Sequence, residues 1–69
     1  DEREAARWFE RAVALDYPRA EVELGLLYEE GLLGARDLGK AFDLYKSAAA
    51  KKYTRGMLNL GRLYETGLA

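Results

Sequence analysis

Apolar residues in this chain of 69 recur every three or four positions, and polar or glycine-bearing breaks divide them into four runs. In the first run Ala5, Trp8, Phe9, Ala12 and Val13 fall on one side of a helical wheel, with Arg3, Arg7, Glu10 and Arg11 on the other. This predicts a helix over about residues 2–15, opened by Asp1 at the cap position with Glu4 three residues on. Pro18 disfavours helical geometry at Tyr17, which ends the first helix, and it is itself suited to open the next. The second helix, about 19–30, turns Ala20, Leu24, Leu27 and Tyr28 inward and stops at Gly31. A loop to Arg36 then reaches Asp37, the cap of a third helix over about 38–51 whose inward set is Ala41, Leu44, Tyr45, Ala48 and Ala49. Gly39 in its first turn, and Lys40 where an acid would complete the capping box, weaken that start. A fourth helix over about 55–66 is followed by Gly67. No segment alternates with a period of two, so an all-α fold is expected.

The third and fourth runs repeat the first and second. Residues 1–33 superpose on 37–69 without a gap, at a period of 36 and with 13 identities, among them Asp1/Asp37, Ala12/Ala48, Tyr17/Tyr53, Gly25/Gly61, Tyr28/Tyr64 and Glu29/Glu65. A fixed period of this size marks an array in which each unit buries a face it cannot bury alone. The predicted fold is an α-solenoid of antiparallel helix-turn-helix repeats, two stacked hairpins with right-handed drift. Starting at Asp1 rather than Met, the chain reads as an excerpt of a longer solenoid. Gly25 and Gly61 stand inside helices, where glycine is a poor former, and are expected to admit the close approach of a neighbouring backbone or ring. Ala12, Ala20, Ala48 and Gly56 read as the same device.

Composition narrows the function. Without Cys or His there is neither a disulfide nor a usual structural zinc set, and no apolar run approaches the ~20 residues that cross a bilayer. No cofactor, metal or membrane insertion is expected. Residues 1–35 carry four bases against nine acids, and residues 36–69 seven bases against three acids. This split is either a difference between solvated faces or a polarity that favours head-to-tail self-association. The seven bases come with no stacking aromatic series on one face, which argues against nucleic acid.

No catalytic constellation stands out. Glu29 and Glu30 are adjacent on a helix and cannot face one substrate bond together. Glu29 and its counterpart Glu65 read instead as supports for the loop that follows each helix. Ser47, Thr54 and Thr66 sit in no nucleophile motif, and Gly31-Leu32-Leu33-Gly34 lacks the pattern of a phosphate loop.

The run Leu24-Gly25-x-Leu27-Tyr28-x-x-Gly31, then Asp37 and Lys40-Ala41-x-x-Leu44-Tyr45-x-x-Ala48-Ala49, resembles the Sel-one-like repeat family, which is related to tetratricopeptide repeats. Ala41 follows Gly25 by sixteen positions, a longer spacing than in ordinary tetratricopeptide repeats. Two departures stand out: Asp16 and Lys52 occupy a place where the family commonly has Gly, and Tyr17 and Tyr53 follow where a small polar residue is common. A cysteine-rich branch linked to β-lactam chemistry is not matched, for want of cysteines.

The resemblance implies a non-enzymatic protein–protein interaction module in which the first helix of each unit lines a concave groove. It puts Arg19, Val22, Glu23, Leu26 and Glu30 from one helix, and Arg55, Leu58, Asn59, Arg62 and Thr66 from its repeat, in that groove as a partner-binding set for a protein or peptide. Val22, Leu26 and Leu58 would form an apolar strip, with Arg and Asn holding a ligand carboxylate or extended backbone. Alternatively Val22 and Leu58 pack between neighbouring helices, and the segment is a structural spacer or a self-associating one.

Overall fold

The computed structural model describes residues 1–66, and Gly67, expected to end the fourth helix, lies outside them. Four helices follow in order: α1 (Glu2–Ala14), α2 (Pro18–Glu30), α3 (Leu38–Ala50) and α4 (Thr54–Glu65). Each runs within one residue of the expected span. Asp1 caps α1 by accepting from the N–H groups of Arg3 and Glu4 at 2.8 and 3.0 Å, and Asp37 caps α3 through the Lys40 N–H at 3.0 Å. Both satisfy helix-terminal donors that have no partner in their own helix.

The first three helices end alike. Gly31 closes α2 in the left-handed conformation, φ 71°, with its N–H bonded to the Tyr28 carbonyl and that of Leu32 reaching back to Leu27. The same pair of bonds closes α1 at Asp16 and Tyr17, and α3 at Lys52 and Tyr53. Asp16 and Lys52 are also left-handed, φ 63° and 64°. The two departures from the family's glycine therefore hold a side chain where the turn favours none, at roughly 1 kcal/mol each.

Packing is ordered along the chain: α2 lies against α1 on one side and against α3 on the other, α3 against α4, and α2 reaches α4. The core is the seam of α2, α3 and α4, a cluster of Val22, Ala41, Tyr45, Ala48 and Leu63. Tyr45 is its largest member, fully buried against Gly25. A Cβ built at Gly25 would lie 2.6 Å from the Tyr45 ring, so the close approach expected of this glycine is a seat for that ring. On the α3–α4 side, Gly56 meets Ala48 equally closely.

Trp8 departs from expectation. Its helical spacing predicts an inward position, yet it is 66% exposed, with the Arg11 guanidinium over its ring at 5.2 Å. The reason is positional: α1 packs only on α2, so the side bearing Trp8 has no helix against it. Ala6 is instead the buried residue of α1, while Ala5, Phe9, Ala12 and Val13 are half-buried.

Three substitutions check this account by urea unfolding. Gly25→Ala forces the Tyr45 ring out of its seat and is expected to cost about 1–3 kcal/mol. The same change at Gly61, where no atom lies within 4 Å of the added Cβ, should be neutral or stabilise by up to about 1 kcal/mol. Lys52→Gly should raise stability by up to about 1 kcal/mol by relieving the left-handed backbone.

Candidate functional site

The surface shared by α2 and α4 carries the residues expected to form the groove, and the structure sorts them into three kinds. Val22 does not belong there. It is fully buried in the core cluster, so no ligand can reach it. The reading in which this position packs between helices is the one its burial supports. Leu58, its repeat equivalent on α4, is 67% exposed.

A second group is tied into a polar network that starts in the core. The Tyr45 hydroxyl donates to Glu29 Oε1 at 2.7 Å, and Arg62 reaches the same carboxylate with both terminal nitrogens, Nη2 at 2.8 Å from Oε1. Arg62 Nη2 also donates to Asn59 Oδ1 at 3.0 Å, and Asn59 Nδ2 to the Arg55 carbonyl at 2.9 Å. This row links α3, α2 and α4. Glu29 therefore does more than support its loop: it is the backbone carbonyl of Glu29 that the loop holds, through Arg36 Nε at 2.9 Å, while the carboxylate joins three helices. Adjacent Glu30 is exposed and takes no part in this network.

Electrostatics follow from these bonds. The Arg62 hydrogen bonds hold the Glu29 carboxyl below the ordinary glutamate range, outweighing the upward push of burial, and the Tyr45 hydroxyl adds to the effect. Burial, and then the bond to Glu29, push the Tyr45 phenol up. The Glu29 bond likewise raises Arg62, so the guanidinium keeps its charge.

The third group faces solvent. Arg55 stands 3.8 Å from Glu23, an ion pair at the water boundary. Arg19 and Glu23 line a cleft of about 410 Å³ between α1 and α2, together with Phe9, Ala12, Tyr17 and Ala20. Leu26 is half-buried at the edge of the core, and the Thr66 hydroxyl donates to the Leu63 carbonyl at 3.2 Å, closing the end of α4.

One cluster escaped the sequence reading. Glu21, buried, accepts from the Ser47 hydroxyl and from Lys51 Nζ at 2.9 Å, which locks α2 to α3. Its members lie 26 and 30 positions apart and match no motif. The signal available was comparative: the repeat replaces Glu21 by Met57, and Lys51 stands where the first copy has Leu15. Among the described residues no group of His, Cys, Asp and Glu is arranged to hold a metal ion, and no helix is long and apolar enough to cross a membrane.

The Sel1 repeat family model matches the chain over residues 1–17, 18–53 and 54–69. Among curated proteins and among solved structures, none matches the chain.

The Glu29 network carries a pH dependence. Its folded-state pKa is depressed, so the stability it contributes is present above the ordinary glutamate value of about 4.3 and is lost as pH falls through the lower folded value. Glu29→Gln is expected to lower stability at neutral pH by about 1–2 kcal/mol and to flatten the acid limb of a plot of Tm against pH. Equal acid slopes in the two proteins would show that the network does not govern that limb.

Proposed function

This chain belongs to the Sel1 repeat family, whose repeats are protein–protein interaction modules, and from that premise we propose that it binds an extended peptide segment of a partner along the surface shared by α2 and α4. It does so without catalysis, as an adaptor or scaffold.

What supports this reading is the row Arg62–Asn59–Arg55 beside half-buried Leu26. Arg62 is held on two sides, by Glu29 and by Asn59, so its guanidinium is fixed before any ligand arrives. Three of its five donors are engaged there, which leaves two for a partner. A fixed guanidinium loses little freedom on binding. Arg55, loosely paired with Glu23, can exchange that carboxylate for one on the ligand. Leu26 supplies the apolar contact, with Arg19, Glu23 and Glu30 at the edge. Val22 and Thr66 take no part, being committed to the core and to the end of α4.

The occupant this surface fits is an extended segment with acidic side chains flanking an apolar one. Titration of the isotope-labelled protein with a synthetic peptide alternating Leu and Asp should shift the resonances of Leu26, Arg55, Asn59 and Arg62. Arg55→Glu should weaken binding about tenfold, close to the loss of one charge-assisted hydrogen bond. Unmoved resonances, or equal affinity for the variant, would remove this surface as the binding site.

A further inference from the structure

We propose that the partner segment crosses from α2 to α4 as one turn of polyproline II helix, with an apolar residue seated at Leu26 and an acidic residue, three positions away, held by Arg62. This rests on the peptide-binding reading of the α2–α4 surface and adds the conformation and spacing of what binds there.

The span between the two anchors is set by the repeat. Leu26 and Arg62 are one period of 36 residues apart, so they occupy the same place on α2 and on α4. The two helices run parallel and side by side. Arg55 meets Glu23 and Arg62 meets Glu29, in the same order along both, and Cα atoms of the two helices approach within 8 Å. Equivalent positions on helices packed in this way stand one interhelix spacing apart, about 8–10 Å. A segment that touches both anchors therefore runs across the helices and not along them.

The free donors of Arg62 put the acidic anchor at the α4 end of that span. Nη2 uses both of its hydrogens, on Glu29 Oε1 and Asn59 Oδ1, and Nη1 uses one, on Glu29 Oε2. What remains is one hydrogen on Nη1 and the Nε–H, and Nε is the guanidinium nitrogen nearest the α4 backbone. A carboxylate complements these donors in charge and in geometry. Leu26, half-buried at the edge of the core, is the apolar anchor on α2. Asn59 Nδ2 gives one hydrogen to the Arg55 carbonyl and keeps the second for a backbone carbonyl of the segment.

Among regular extended conformations, polyproline II matches this span with both side chains facing the protein. Two residues of β-strand cover about 6.7 Å and four about 13 Å, while odd steps turn the side chain to the opposite face. Three residues of polyproline II make one full turn, cover about 9.3 Å and bring the side chain back to the same side. This conformation has no internal hydrogen bonds, so its carbonyls are available to Asn59. The two residues between the anchors face away from the protein and accept proline. Proline also biases the residue before it toward this conformation and lowers the entropy lost on binding.

Titration of the isotope-labelled chain with peptides holding one Leu and one Asp in a serine background, in both chain orders, tests the spacing on the unaltered protein. With proline filling the positions between them, Leu and Asp three apart should bind about tenfold tighter than the same pair two or four apart. The three-apart peptide with Pro-Pro should also bind tighter than the one with Gly-Gly. Leu26→Ala, and Arg62→Lys, which keeps the charge and loses the planar fork, should each reduce the preference for three, with far-ultraviolet circular dichroism unchanged. Equal or tighter binding at a spacing of two or four, or tighter binding with Gly-Gly, would overturn the proposal. The peptide alternating Leu and Asp contains pairs at every odd spacing and reports on the surface itself. If it binds and the spacing series shows no preference, the polyproline turn is overturned and the surface stands; if no peptide binds, both fall.

Discussion

The Tyr45 ring ties α2, α3 and α4 together. Tyr45 reaches from α3 into the seat left by the missing side chain of Gly25, and its hydroxyl ends on a carboxylate of α2 that an arginine of α4 grips from the other side. Three helices that are separate in sequence are fixed at one point. The apolar part of the ring completes the Val22–Ala41–Ala48–Leu63 core, and its polar tip starts the surface network. A buried phenol needs a partner for its hydroxyl, and Glu29, itself neutralised by Arg62, supplies one without leaving a naked charge inside. Core packing and surface chemistry therefore cannot be changed independently.

This coupling explains why the candidate binding row is rigid. Asn59 and Arg62 are held by bonds that trace back to Tyr45, so their positions depend on the core rather than on exposed side-chain rotamers. Glu21, with Ser47 and Lys51, does the same at the other end of the α2–α3 seam. In a chain this short, with a small apolar core, buried polar pairs that are fully satisfied give the helices a fixed register that apolar contact alone specifies poorly.

The repeat also explains what is left open. Every contact that Tyr45 and Val22 complete in the middle has a half-formed counterpart at an end: Phe9 and the cleft on α1, Gly61 and Leu58 on α4. Trp8 is exposed because α1 packs on α2 alone.

Helix spans, caps and repeat register were legible in the sequence because they depend on local chemistry. Asp1 and Asp37 cap through their own side chains, Pro18 and Gly31 act through their own φ angles, and a period of 36 is counted rather than inferred. That Gly25 would admit a ring was also readable, from its place between a core Leu and a core Tyr. Which residues of one helical face meet the core and which meet water was not. Val22 and Leu58 occupy the same place in the repeat, yet one is fully buried and the other exposed, because burial depends on whether a neighbouring helix is present. Nor could sequence pair Glu29 with Arg62 or Glu21 with Lys51. Such pairs span 33 and 30 positions, and only the packing of α2 against α3 and α4 brings their charges within hydrogen-bond distance.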